Sequence, residues 1–135
     1  MSLSAQDLRI GNLHLYTVED KHDERGVWDE LAVIDAEDLV YLSNYPDDNN
    51  YKPVPLTEDW LLRAGFYSEE FFEDSRPIYV LDIDGEESFY VDWDTLQPVE
   101  TGYNIAKVKI EHVHQLQNLF FAIRGKELEF KDLKI

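Results

Sequence analysis

The period of the apolar positions changes along the chain, and the changes mark out its elements. Leu13-His-Leu-Tyr-Thr-Val18 alternates with a period of two, the pattern of a half-buried strand, after the turn signal Gly11-Asn12. Residues 19–26 are polar and end in glycine, which reads as a loop. Residues 27–34 fit strand or helix, and their β-branched side chains favour strand. Leu39-Val-Tyr-Leu42 reads as a further short strand. Residues 44–55, with two prolines late in the run and the polar stretch Asp47-Asp-Asn-Asn50, read as a loop.

Pro55-Leu-Thr-Glu-Asp-Trp-Leu-Leu-Arg-Ala-Gly-Phe66 is a short helix with its own punctuation. Thr57 can cap the first amides, and Glu58 and Asp59 suit the positive end of the helix dipole. Leu56 and Leu61 have the spacing of a hydrophobic staple, and Gly65 supplies the stop. Residues 67–77 are acidic and aromatic and suggest a helical turn. Residues 78–84 and 88–93, on either side of Gly85, read as a β-hairpin. A connector containing Pro98 follows over 94–102. Residues 105–110 place Lys107 and Lys109 opposite Val108 and Ile110, a half-buried strand. Val113, Leu116, Leu119, Phe120 and Ile123 then share one face of a helix over 112–124. Gly125 stops it, and residues 127–130 can return as a strand. The expected fold is α+β, one domain over residues 1–135. A small N-terminal antiparallel, barrel-like sheet leads to the short central helix, and a C-terminal hairpin and strand pack on one long helix.

Composition narrows the function. Of 135 residues 44% are hydrophobic and 13% aromatic, enough to build a core despite the charge. Cysteine is absent, which removes disulfides, thiolate zinc sites and cysteine nucleophiles. No apolar run approaches the roughly 20 residues of a membrane helix, and the N-terminus lacks the pattern of a secretion signal. A soluble, cytoplasmic protein is expected, without membrane contact. The net charge is −17 and unevenly spread. Residues 1–100 hold 25 acidic and 6 basic side chains (−19), and residues 101–135 hold 4 and 6 (+2). Such a field repels nucleic acid and attracts basic protein surfaces, although acidity also serves solubility.

The constellations that could carry chemistry are sparse. His112-Val-His114 could begin a metal site, but no spacing singles out a third ligand, and both fit the first turn of a helix. Asp82-Ile-Asp84-Gly-Glu86-Glu87 resembles half a calcium loop. Counted from Asp82, the sixth residue is Glu87 rather than Gly and the twelfth is Trp93, so the match fails. No nucleophile elbow, phosphate loop or dinucleotide fingerprint occurs. Neither a catalytic residue, a metal nor a cofactor is expected. The aromatics cluster in the acidic part and mostly suit a core. Those in its loops suit anchors for a protein partner, with acidic neighbours to attract it: Tyr45, Tyr51, Glu69, Glu70, Phe71, Phe72, Glu73 and Asp74.

Three segments also carry a resemblance. Leu8-Arg-Ile-Gly-Asn12, Pro55-Leu-Thr-Glu-Asp-Trp-Leu-Leu-Arg-Ala-Gly-Phe66 and His112-Val-His-Gln-Leu-Gln-Asn-Leu-Phe-Phe-Ala-Ile-Arg-Gly-Lys-Glu-Leu128 resemble a family of small uncharacterised proteins of Bacteroidetes genomes and their phages. Residues 19–50 and 67–103 lie outside the resemblance. It implies a phage or prophage setting and a host-interaction role, including inhibition of a defence protein, and it transfers no functional residue. The expected function is a non-enzymatic, acidic interaction protein acting on a protein partner with a basic surface. Two alternatives stand beside it. One is a small-ligand or nucleotide binder using Lys107, Lys109, Arg124 and Lys126. The other is a DNA mimic, whose carboxylates would lie in two rows on one surface.

Overall fold

The computed structural model describes residues 3–69, 78–83, 87–92, 97–100, 103–104 and 110–133. A 3-10 turn, Ala5–Asp7, precedes β1 (Leu13–Glu19), β2 (Val27–Val33), α1 (Ala36–Asn44), β3 (Tyr51–Lys52) and α2 (Glu58–Arg63). Next come β4 (Tyr67–Glu69), β5 (Ile78–Ile83), β6 (Glu87–Asp92), β7 (Gln97–Glu100), β8 (Tyr103–Asn104) and α3 (Val113–Arg124). Helices beside two antiparallel sheets make the architecture α+β, as the sequence predicts. The contacts divide the chain into two compact units. One is built from Met1–Pro55 and His112–Glu127, the other from Leu56–Glu111 and Leu128–Leu133.

In the first unit β1 pairs with β2 over its whole length, from Leu13↔Val33 to Glu19↔Val27. Asp20 and Asp23 close the connecting loop by accepting from the amides of His22 and Arg25 (2.8 and 2.9 Å). β1 also pairs with β3 through Leu15↔Lys52 and Tyr16↔Tyr51. The order β2-β1-β3 leaves β2 and β3 apart, so the sheet is open rather than barrel-like. Leu3, Leu8, Ile34, Leu42 and Tyr51 form a buried cluster, with Leu39 and Tyr16 packed against it.

Leu39-Val-Tyr-Leu42, expected as a strand, lies inside α1. The capping box explains the difference. Asp35 Oδ1 accepts from the Asp38 amide (2.8 Å), and Asp38 Oδ2 accepts from the Asp35 amide (2.9 Å). With two orphan amides satisfied, the four apolar or aromatic residues divide between the core side and the solvent side of a helix. The loop expected over 44–55 also contains β3, a two-residue strand held by β1.

In the second unit β4 to β8 pair in sequence order as an antiparallel meander. The expected hairpin is present, in register from Ile78↔Asp92 to Ile83↔Glu87. Two expectations change here. Of residues 67–77, expected as a helical turn, 67–69 form β4, paired with Ile78 to Val80, and 70–77 lie outside the described residues. The Pro98 connector contains β7, which pairs with β6 from Tyr90↔Val99 to Asp92↔Gln97. α2 carries the predicted punctuation. Thr57 Oγ1 accepts from the Trp60 amide (3.4 Å), and Leu56 and Leu61 are both buried. Gly65, at φ +96°, ends the helix in a Schellman turn, its amide donating to Leu62 O and that of Phe66 to Leu61 O (both 3.0 Å). Residues 127–130 are not a strand. Leu128 is buried, and Phe130 meets Trp60 edge to face (5.4 Å). The strand expected over 105–110 lies outside the described residues except for buried Ile110.

Candidate functional site

α1 offers the most distinctive surface of the first unit. Its inward side holds Leu39 and Leu42, while Val40, Tyr41 and Tyr45 stand 63%, 41% and 59% exposed. Beside them runs an open groove of about 630 Å³, lined by Glu37, Asp38, Val40, Tyr41, Tyr45 and Tyr51. A second hollow continues past Tyr45 to Pro46, Asp47 and Asp48. The tyrosines touch in series. Tyr45 lies 4.8 Å from Tyr41, Tyr41 lies 5.8 Å from Tyr51, and Tyr51 meets Tyr16 edge-on (5.1 Å) and stacks on His14 (5.2 Å).

The carboxylates hold this ladder in place. Tyr41 Oη donates to Asp48 Oδ2 (2.6 Å), and Tyr51 Oη donates to Asp38 Oδ1 (2.8 Å). The bond to Asp48 raises the Tyr41 hydroxyl pKa. Burial and then the bond to Asp38 push the Tyr51 hydroxyl far above the usual tyrosine range. Both phenols therefore remain neutral donors, and Asp48 also fixes the following turn by accepting from the Asn50 amide (2.8 Å). Among the described residues the lining contains no histidine or lysine, and Ser43, on the same helix, donates its hydroxyl to the carbonyl of Leu39 (2.8 Å). The groove presents aromatic faces within a rim of negative charge.

The predicted anchors fall in different places. Tyr45 is exposed on this surface. Tyr51 is only 7% exposed, so it is a core residue showing one edge in the groove rather than a free anchor. The reason is its position in β3, which turns the ring inward onto His14 and Tyr16. Glu69 ends β4, and Glu70, Phe71, Phe72, Glu73 and Asp74 lie outside the described residues. Sequence reasoning missed Tyr41 and Val40, because it placed them in a strand. The cap Asp35-Ala-Glu-Asp38 was the signal that would have found them.

Residues 7–13 and helix α3 meet in a buried polar clamp. Gln117, 3% exposed, accepts from the Leu13 amide at Oε1 (2.9 Å) and donates through Nε2 to Gly11 O (3.2 Å). Asn12, fully buried, donates to Asn118 Oδ1 (2.7 Å), and Asn118 Nδ2 donates to Asp7 O (3.1 Å). Arg9 adds an ion pair with Glu127 and lies over the Phe121 ring at 4.2 Å. The buried residues of α3 are thus Val113, His114, Leu116, Gln117 and Phe120. Leu119 is half-buried and Ile123 is 39% exposed, not the inward residues that apolar spacing suggests.

The histidine pair sits at the start of α3. His112 precedes the first turn, its amide donating to Gln115 Oε1 (3.0 Å), and its ring stacks on His114 at 5.7 Å. His114 is 4% exposed; burial, and then the neighbouring His112, lower its pKa to about 4. Burial lowers that of His14 as well. Among the described residues no group of three or more His, Cys, Asp or Glu is placed to hold a metal ion, and no helix is long and apolar enough to cross a membrane. Of the basic residues considered for a nucleotide, Lys107 and Lys109 lie outside the described residues. Compared with models of protein families, with curated proteins and with solved structures, the chain finds no match.

Proposed function

We propose that this is a non-enzymatic interaction protein of phage or prophage type, which acts in the bacterial cytoplasm by binding a host protein through a basic surface. A host defence protein is the target class that the phage setting favours. One observation supports the reading above the others: the exposed Val40, Tyr41 and Tyr45 sit among Glu37, Asp38, Asp47 and Asp48, with no cation among the described lining residues. Aromatic anchors with acidic surroundings suit a partner that brings positive charge, and the net charge of −17 steers it in. Tyr45 and the acidic segment 69–74 then have separable roles, holding and steering.

The test is capture from host lysate on wild-type protein and on Tyr45→Ala, followed by kinetics on whatever differs. A specific partner is retained by wild type and lost from Tyr45→Ala. Its association slows as salt rises and when Glu69, Glu70, Glu73 and Asp74 are reversed to lysine, whereas Tyr45→Ala mainly speeds dissociation. Identical captures on both proteins, or an affinity indifferent to salt, would overturn the reading and leave the acidity as a solubility device.

A further inference from the structure

Three arginines among the described residues share one arrangement. Arg25 lies over the Trp28 ring at 3.7 Å and forks onto Asp23 through Nε (3.0 Å) and Nη2 (2.9 Å). Arg63 lies over Trp60 at 5.2 Å and pairs with Asp59 at 2.9 Å. Arg9 lies over Phe121 at 4.2 Å and pairs with Glu127. In each case the guanidinium carbon lies over a ring while its nitrogens reach a carboxylate. The two contacts use different surfaces of one planar cation, so they do not compete.

The α1 surface has the ring and the carboxylate without the cation. Tyr45 is 59% exposed and shares a hollow with Asp47 and Asp48. Asp48 already accepts from Tyr41 Oη and from the Asn50 amide, which leaves Asp47 as the less committed acceptor. Among the described residues no lysine or arginine lines either hollow. Resting on the proposed role of this face in binding a basic partner, we infer that the groove takes an arginine side chain of that partner, stacked on Tyr45 and paired with Asp47. Lysine fits less well, because its compact ammonium has no plane to stack and no fork to match a carboxylate.

Hexa-arginine and hexa-lysine peptides test this, because they carry equal charge and differ in the cation. Titrations of the full chain at about 0.15 M salt, followed by NMR, give affinity and location together. Hexa-arginine is expected to bind about fivefold more tightly, shifting the amides of Tyr41, Tyr45 and Asp47. Tyr45→Ala should erase the preference and Tyr45→Phe, which keeps the ring, should retain it. The exposure of Tyr45 makes both variants foldable, and circular dichroism verifies that they are. Equal affinities with shifts in the groove, or a preference that survives Tyr45→Ala, would sink the arginine inference and leave the groove as a surface for basic partners. Shifts confined to other surfaces, or no binding of either peptide, would sink both.

Discussion

Gln117→Ala and Gln117→Leu probe the clamp between α3 and the start of β1. Wild-type Gln117 is 3% exposed, and the Leu13 amide it satisfies belongs to a residue 2% exposed. Truncation to alanine leaves that amide without its acceptor, a loss of about 1–3 kcal/mol for a buried donor. It also removes the bond to Gly11 O and the packing of the side-chain methylenes, so the total should reach about 2–4 kcal/mol. Leucine refills most of the space but neither donates nor accepts, and should still cost about 1–3 kcal/mol. Urea unfolding followed by far-UV circular dichroism gives both values, provided the denaturant slope stays constant across the series. Ile123→Ala, on the same helix at 39% exposure, is the reference and should stay within about 0.5 kcal/mol of wild type. If Gln117→Leu is as stable as wild type, space filling rather than hydrogen bonding holds α3 here, and the clamp is misread.

Other consequences are open to measurement. Leu116→Ala, at 0% exposure, should cost about 2–5 kcal/mol, and half-buried Leu119→Ala clearly less; equal losses in urea unfolding would contradict the assigned face of α3. Asp38→Ala breaks the capping box and leaves the Tyr51 hydroxyl without its acceptor, so it should cost more than Asp35→Ala, which should cost about 1 kcal/mol. Thr57→Ala should cost about 0.5–1 kcal/mol, at the low end for a cap because its contact is 3.4 Å. Acid should destabilise the fold through its buried histidines. His114 has a folded pKa of about 4 against 6.5 for a free imidazole, so the unfolded chain binds more protons between these values. The stability contribution is complete above pH 6.5 and is lost as pH falls toward 4, by about 3 kcal/mol for His114, with His14 acting in the same direction. His114→Gln should flatten this part of the stability–pH curve, and an unchanged curve would show that His114 is not the group responsible.

What the sequence made legible follows from the range of the forces involved. α2 could be read in full, because its cap, dipole charges, staple and glycine stop all lie within a dozen residues. The β5–β6 hairpin was equally local. α1 was missed for a reason of the same kind, since apolar content at Leu39-Val-Tyr-Leu42 outweighed an acidic cap four residues upstream of Leu39. Of the inward face expected for α3, Val113, Leu116 and Phe120 are buried as read, while Gln117 rather than Leu119 or Ile123 completes it. Apolar periodicity cannot register a buried amide whose partners lie 104 and 106 residues away. The groove was half legible. Tyr45 and the acidic rim were visible as residue types, but Tyr51 became core through a two-residue strand that no local pattern announces.

The distribution of these features separates scaffold from surface. Residues 8–12 and helix α3 supply Arg9, Asn12, Gln117 and Asn118, whose polar groups go to one another, to Glu127 and to backbone groups. An amide side chain that is buried and engaged is not open to a partner, so Asn12 and Gln117 serve the fold. The groove is built from residues 36–51. Its tyrosines need only α1, β3 and the turn at Asp48 to hold them, and the exposed pair Tyr41 and Tyr45 makes few demands on the core. A surface so weakly coupled to the clamp can change its aromatic and acidic residues at small cost to stability, because exposed positions tolerate substitution. In this physical division, the clamp constrains residues 8–13 and 112–128, while the proposed partner surface rests on the short acidic helix between them.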